Sequence, residues 1–306
     1  MKKLALQFKA HIKKYKILYI MLLPALVWYF LFCYMPMSGV VLAFKNYRYD
    51  MGIFKSPWVG LDNFVMMFHD KSFIQAFKNT IIISMGKILI QFPLSILLAL
   101  MLNEVKNKRL KKFFQTVFTF PHFISWVVLA SIFMNLFSST GIINQLLDSL
   151  NLPMFSPLIT SSMFRGFLWT SSIWKEVGWD TIIFLAAITN IDPSLYEAAE
   201  IDGASRLQKI WHITLPGIRG IICIMLILQV GNIMGGASFN QIFNTYSPAV
   251  YGVGDIIDTF VQRYTFVMGA NFGYTTAVGL FKSVIGVVMI TVANKIVTKF
   301  GESGLF

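Results

Sequence analysis

Residues 197–216 read EAAEIDGASRLQKIWHITLP and lie in a charged loop between two long apolar segments. Particular residue types stand there at set distances: Glu-Ala-Ala, a glycine, an isoleucine and finally Leu-Pro. The positions are filled by Glu197, Ala198, Ala199, Gly203, Ile213, Leu215 and Pro216. Seven such positions at set spacing in one charged loop indicate a sequence motif and not an ordinary connection between apolar segments.

The composition is typical of a membrane protein. Of 306 residues, 56% are hydrophobic and 13% are charged, and the mean hydropathy is +0.65. Soluble domains carry about 25% charged residues. A net charge of +12 could indicate nucleic-acid binding, but the basic residues cluster at the ends of apolar segments, as in membrane proteins. We therefore expect the lipid bilayer, and no nucleic acid, as a partner.

Six apolar segments are each long enough to cross about 30 Å of hydrocarbon. They cover residues 17–44, 75–102, 114–138, 166–190, 218–239 and 274–297. The sequence therefore predicts an all-α integral membrane protein with six transmembrane helices. The basic start and first apolar segment resemble a signal peptide, but the apolar run is too long and lacks a small-residue cleavage site. An uncleaved anchor is expected.

The distribution of Lys and Arg predicts the orientation. The N-terminal tail, the loops 103–113 and 191–219 and the C-terminal end hold 16 of the 26 Lys and Arg residues. The opposite loops hold five: Lys45, Arg48, Lys55, Lys71 and Arg263. Because cytoplasmic loops are enriched in Lys and Arg, both termini and the loop 192–217 are expected in the cytoplasm of a multi-pass protein of the cell membrane.

The same loop carries the signals of a short helix and a turn. Asp192 is a suitable N-cap, and Pro193 fits the first helical position of a helix ending near Ile201. Gly203 permits a sharp turn. A second helix is expected to run to about Trp211, with Pro216 breaking the chain before the fifth segment.

This loop resembles the EAA loop of the permease subunits of ATP-driven (ABC) importers. The resemblance extends along most of the chain to the LplB-like sugar-permease subfamily. It is carried by residues 21–47, 57–64, 121–128, 174–187, 197–219, 247–263 and 277–288, among them PWVGLDNF at 57–64 and WKEVGWDTIIFLAA at 174–187.

The resemblance implies a type I ABC importer permease (MetI-like) fold. It implies a tail at 1–16, a first helix with an extracytoplasmic loop at 17–74, a permease core at 75–298 with the coupling loop 192–217, and a tail at 299–306. The implied partners are a second homologous permease, an ATPase dimer, an extracellular solute-binding lipoprotein and an oligosaccharide substrate. Glu197 would pair with a basic residue of the ATPase.

The chain is not expected to be an enzyme. The phosphate-binding pattern GxxxxGK followed by Ser or Thr does not occur in the sequence, so no ATP site is expected here. The resemblance places ATP-Mg in the partner ATPase subunits and no cofactor on this chain.

Several polar residues lie inside the apolar segments, where ionisable groups face protein or water. The candidate translocation pathway comprises Trp169, Lys175, Glu176, Trp179, Asp180, Asn232 and Lys282. Glu176 and Asp180 share one helix face. An alternative interpretation is structural, with Lys175 or Lys282 neutralising one of the acids, and the sequence leaves both open.

Two other function classes are weighed against the importer. A secondary transporter more often shows internal repeats, and none is evident in this sequence. A membrane scaffold would leave the intramembrane charges unexplained.

Overall fold

The computed structural model describes residues 14–236, 238–269, 271–302 and 304–306. Their regular structure is helical, apart from an isolated antiparallel bridge between Lys45 and Trp58. The all-α prediction is therefore confirmed. The predicted tail at 1–16 lies mostly outside the described residues.

The chain forms two compact units, the first made of residues up to Met67 together with 270–280. Its α1 (Lys16–Tyr29) continues through a π turn (Phe30–Tyr34) and a 3-10 segment (Met35–Phe44). Helices α2 (Gly52–Lys55) and α3 (Asp62–His69) follow. The Asn63 side chain donates to the carbonyls of Ala43 at 2.9 Å and Lys45 at 3.1 Å, which fixes the loop after the first apolar helix.

The second unit comprises residues 68–269 and 281–306. Its long helices are α4 (Lys71–Glu104) and α8 (Ser161–Thr189), joined by α5 (Lys108–Thr119), α6 (Trp126–Phe137) and α7 (Ile142–Ser149). The chain continues through α9 (Pro193–Ile201), α10 (Arg206–Lys209), α11 (Leu215–Gly217) and α12 (Arg219–Gly231). The remaining helices are α13 (Phe239–Thr245), α14 (Tyr251–Gly254), α15 (Ile257–Phe266) and α16 (Phe272–Lys299), and the first residues of α16, up to 280, belong to the first unit.

Four helical segments among the described residues are long and apolar enough to cross a membrane: Lys16–Phe44, Lys71–Glu104, Trp126–Ser149 and Phe272–Lys299. The bent pair Arg206–Gly217 and Arg219–Gly231 makes a fifth if it is counted as one span. Helix α8 is also long enough, with 29 residues. It is not counted among these segments because it carries the charged residues Lys175, Glu176 and Asp180.

The third predicted span, 114–138, is not one helix. Helix α5 ends at Thr119, a 3-10 turn covers Phe120–Phe123, and α6 begins at Trp126. Pro121 has no N–H to continue the helical hydrogen bonds. The Ser125 side chain caps α6 by accepting from the Val128 N–H at 3.3 Å. Pro121 therefore interrupts the chain after α5, and Ser125 starts the next helix.

The fifth predicted span, 218–239, is also interrupted. Helix α12 ends at Gly231, and the chain turns through residues 232–236 before α13 begins at Phe239. The Asn232 carbonyl accepts from the N–H groups of Gly235 at 2.9 Å and Gly236 at 2.5 Å. Glycine is a poor helix former, so Gly235 and Gly236 favour a turn here. Hydropathy alone does not predict this turn, because the surrounding residues are apolar.

The core of the second unit lies along the contact between α4 and α8. One apolar cluster includes Ile83, Phe164 and Leu168, and a second includes Phe92, Phe184 and Leu185. Most of the buried residues that α4 and α8 contribute between these clusters are polar: Ser84, Lys87, Ser171, Ser172, Lys175 and Thr181. This arrangement places a polar layer inside an apolar helix pair.

Candidate functional site

The polar layer between the two apolar clusters is the first candidate site. Gln91 of α4 connects two side chains of α8: its Oε1 accepts from Ser172 Oγ at 3.0 Å, and its Nε2 donates to Asp180 Oδ2 at 2.8 Å. A half-buried amide that is bonded at both ends fixes the register of two helices. Asp180, predicted as a pathway residue, therefore reaches the layer through Gln91.

Glu176 lies at the centre of this layer. Its carboxylate is 3.3 Å from Lys175 Nζ and 2.5 Å from His122 Nδ1. Glu176 thus has a cation on the neighbouring residue and an imidazole from the break before α6. The structural interpretation of the sequence named Lys175 as a partner for an acid, and this pair is present.

Lys175 also supports the break in the third span. Its ammonium group donates to the carbonyl of His122 and, at 3.5 Å, to that of Pro121. It lies 5.6 Å from the centre of the Trp126 ring. The Pro121 carbonyl also accepts from the Ile124 N–H at 3.2 Å, so the buried ammonium group adds to the hydrogen bonds that hold the backbone at the break.

Trp179 packs behind the same break. Its ring stacks on that of His122 with centroids 4.2 Å apart and planes 4° apart. Trp169 lies elsewhere: its Nε1 donates to the Ile83 carbonyl at 3.1 Å, and its ring occupies the space above Gly86. Both tryptophans therefore make protein contacts of their own.

A cavity of about 100 Å³ adjoins the polar layer. Helix α4 contributes Ser84, Lys87 and Gln91, α8 contributes Ser172 and Glu176, and the end of α12 with the following turn contributes Gln229, Asn232, Gly236 and Ser238. Non-helical backbone at membrane depth is tolerated where it lines a cavity. The turn after α12 fits that rule.

Lys87 ties this turn to the rest of the unit. Its Nζ donates to Ser238 Oγ at 3.0 Å and to Gln241 Oε1 at 2.7 Å. The Gln241 amide in turn donates to the Leu168 carbonyl at 2.8 Å and to Ser171 Oγ at 2.9 Å. Ser238 has a φ of +61°, so the chain re-enters α13 through a left-handed residue that these bonds hold.

Lys282 is placed away from the two acids of α8. It forms an ion pair with Asp258 of α15. Of the two lysines that the structural interpretation offered as partners, Lys175 pairs with Glu176 and Lys282 pairs with a different acid. Asp258 of α15 lies beside Lys282 in the fold. The sequence of α16 alone does not indicate this neighbour, because the two residues belong to different helices.

The second candidate site is the loop 192–217. Asp192 caps α9 by accepting from the Ser194 N–H at 2.9 Å, and this bond holds the pKa of the Asp192 carboxyl below its usual value. Pro193 occupies the first helical turn. Both features confirm the predicted start of the short helix.

Gly203 forms the predicted turn. Its φ is +76°, and its N–H donates to the Glu200 carbonyl at 3.1 Å while the Ala204 N–H donates to that of Ala199 at 2.8 Å. This is the pattern of a helix end closed by a left-handed residue.

The second half of the loop differs from the prediction. Helix α10 passes into a π turn (Ile210–Thr214) and then α11, so the helical path does not end near Trp211 and continues through Pro216. The chain instead bends at Ile218, by 61° between the flanking helices. A wider π turn before a proline accommodates a residue that has no N–H and crowds the preceding carbonyls.

The exposed side of the loop combines charge and apolar surface. Glu197, Ala198 and Pro216 are exposed, whereas Ala199, Ile213 and Leu215 are half-buried. Ile201 is 87% and Trp211 67% exposed. Apolar side chains this open in a polar loop are typical of a surface that a partner covers.

Comparison with known proteins identifies the family. Residues 91–301 match the family described as "Binding-protein-dependent transport system inner membrane component". The chain belongs to this family. It is a multi-pass membrane permease subunit of an ABC transporter, which has no ATPase site of its own.

Two relatives from Bacillus subtilis (strain 168) match this permease over nearly its whole length. "Polygalacturonan/rhamnogalacturonan transport system permease protein YteP" is 42% identical over 95% of this chain and 90% of the relative. "Protein LplB" is 42% identical over 98% of this chain and 94% of the relative. The predicted LplB-like resemblance is confirmed.

Solved structures confirm the permease fold. A chain of a bacterial ABC transporter involved in import of the acidic polysaccharide alginate matches with a TM-score of 0.86 and 40% identity, covering 95% of this chain and 98% of the other. A second structure, of the alginate transporter in complex with an alginate pentasaccharide-bound periplasmic protein, gives 0.87 and 39%, with 97% and 99% covered.

The structure brings together only part of the predicted pathway set of this permease. Glu176 and Asn232 line the cavity, Asp180 adjoins it through Gln91, and Lys175 and Trp179 lie behind Glu176. Ser84, Lys87 and Gln91 line the same cavity but do not belong to the predicted pathway set. Their spacing in the sequence could have predicted that they lie together, because residues three and four apart share one face of a helix and the rest of this helix is mostly apolar.

Proposed function

We propose that this permease is one of two membrane subunits of an importer that moves oligosaccharides or polysaccharide fragments into the cytoplasm. Cargo would arrive on an extracellular binding protein and pass by alternating access. The observation that carries the proposal is the 42% identity, over 95% of the chain, to a permease named for polygalacturonan and rhamnogalacturonan transport. The likeness to the alginate importer supports the same cargo class.

The proposed topology has six spans with both termini in the cytoplasm. The four apolar helical segments supply four, and α12 (Arg219–Gly231) with the turn and α13 that follow it supplies the fifth. Helix α8 supplies the sixth, since about 29 residues rise by roughly 43 Å and its charged side chains bond to protein. The excess of Lys and Arg on the side of the loop 192–217 supports this orientation.

The loop 192–217 is proposed to be the contact with the ATPase dimer, where ATP-Mg is hydrolysed. Glu197 is exposed and offers a carboxylate to a basic residue of the ATPase. The neighbouring Ile201 and Trp211 supply apolar area. Because the loop runs through the bend at Ile218 into α12, a displacement of α9 would be transmitted toward the turn at Asn232.

The cavity beside the polar layer is proposed to be part of the cargo path. Sugar hydroxyls need hydrogen-bond partners, and the amides of Gln91, Gln229 and Asn232 and the hydroxyl of Ser172 provide them. The cavity volume of about 100 Å³ is small for a sugar ring. The path would therefore have to widen as the two permease subunits alternate.

The decisive experiment uses the complex purified through this chain. ATP hydrolysis is measured with and without binding protein and oligosaccharide, for wild type and Glu197→Lys. We expect stimulated hydrolysis in the wild type and its loss in the variant, because the reversed charge would repel a basic ATPase residue.

Asp148→Lys is the matched control, because Asp148 is an exposed acid of α7 outside the loop. It should retain stimulation. Normal stimulation in Glu197→Lys would refute the coupling role of this residue. Uptake of cargo by the chain without any ATPase would refute the importer and favour a secondary transporter.

A further inference from the structure

Helix α5 has two opposed faces. Its first five residues include the bases Lys108, Arg109, Lys111 and Lys112, and the opposite side carries the exposed apolar side chains of Leu110, Phe114 and Val117. Within the part of the chain that the structure describes, these four basic residues form no ion pair with an acid. Such a helix fits a membrane interface, with its bases among the headgroups.

An apolar groove of about 280 Å³ begins beside this helix. It is lined by Leu94, Leu97 and Met101 of α4, Trp174 and Val177 of α8, and Phe118 of α5. Leu97 and Trp174 are each about half exposed. The groove is therefore open along its side and presents almost only hydrocarbon.

The dimensions of the groove match one leaflet. Leu94 lies ten residues before Glu104, where α4 ends, and ten residues of helix rise by about 15 Å. This is half of the roughly 30 Å hydrocarbon thickness of a bilayer. An acyl chain entering beside the end of α4 would reach Leu94 at about the midplane.

The bases of α5 follow closely on the end of α4, whose Met101 is the groove residue nearest to Glu104 in the chain. A short connection joins Glu104 to Lys108, and the Asn107 side chain caps α5 through the Arg109 N–H at 2.9 Å. The other end of α5 rests on α8 at Gly178, where an added Cβ would lie 2.1 Å from the Phe118 carbonyl oxygen. The basic turn and the groove are therefore held by the same three helices.

We propose that an anionic phospholipid of the adjacent leaflet occupies this site. Its phosphate would bind the four bases of α5, and one acyl chain would lie in the groove against Trp174. Charge complementarity selects an anionic over a zwitterionic headgroup. The proposal requires only that α4 and α8 cross the bilayer, and it holds whatever cargo is carried.

Trp174 provides a direct test. The complex containing the full-length chain is reconstituted into nanodiscs with brominated phosphatidylglycerol or brominated phosphatidylcholine at equal mole fraction. The Trp174 signal is the difference between wild type and Trp174→Phe. We expect quenching by the anionic lipid to be at least about twofold stronger. A twofold ratio corresponds to a free-energy preference for the anionic lipid of about 0.4 kcal/mol.

The preference should disappear in the variant Lys108→Gln, Arg109→Gln, Lys111→Gln, Lys112→Gln. It should persist in Lys295→Gln, Lys299→Gln, which removes exposed bases near the end of α16. Equal quenching by both lipids in the wild type, or a preference that survives the fourfold change, would overturn the proposal. Absence of lipid quenching would show that another subunit covers the groove, which also overturns it.

Discussion

Gly203 shows how one residue determines the geometry of the loop 192–217. An added Cβ would meet nothing within 4 Å, yet the φ of Gly203 is +76°. Backbone conformation, and not space, therefore requires glycine here. The turn directs the chain from α9 to Ser205, whose side chain begins α10 in a capping box with Gln208.

Gly203→Ala should weaken association with the ATPase. A left-handed conformation costs an L-residue about 1–2 kcal/mol, which corresponds to roughly a five- to thirty-fold change in an equilibrium. Co-purification titrated with ATPase subunits measures the effect. Gly220→Ala serves as control, since Gly220 is in α12, has free space and lacks a positive φ. Equal association of the two variants would contradict the role of the turn.

At the scale of elements, local signals predicted the start of α9 and the turn at Gly203, whereas the apolar pattern predicted two spans that the structure interrupts. Asp192, Pro193 and Gly203 act on neighbouring backbone, so their effects can be inferred from the sequence. The breaks at Pro121 and Asn232 lie within apolar runs, and hydropathy does not register a missing backbone hydrogen bond. Both breaks are supported by distant side chains, Lys175 and Lys87, whose partners depend on tertiary packing.

Gly178→Ala should destabilise the packing of α5 against α8. The new methyl group would lie 2.1 Å from the Phe118 carbonyl oxygen, and overpacking of this kind costs about 1–3 kcal/mol. The apparent Tm of the purified complex should fall by several degrees. Gly166→Ala in the same helix meets nothing within 4 Å and should leave Tm unchanged or slightly higher. A similar Tm for both variants would mean that α5 can move away from α8 without cost.

At the scale of the molecule, the polar layer is explained by the apolar clusters on either side of it. The clusters around Phe164 and Phe184 hold α4 and α8 together, so the polar groups between them need not supply the packing energy. The sequence predicted the acids of α8 as a site. It could not predict Gln91 as the residue joining Ser172 to Asp180, because the register of two helices is set by contacts far apart in the chain.

A pair of substitutions separates the cargo path from packing. Asn232 is exposed in the cavity, so Asn232→Leu should lower cargo uptake about five- to tenfold, the loss expected for a hydrogen bond of about 1–1.4 kcal/mol. Trp169→Phe removes the bond to the Ile83 carbonyl and should lower Tm without changing uptake. Uptake in membrane vesicles, normalised to the amount of complex, and Tm are measured for both. Asn232 lines the cavity, whereas Trp169 contacts protein. Unchanged uptake in Asn232→Leu together with a lowered Tm would therefore mean that the cavity serves helix packing and that the cargo path lies elsewhere.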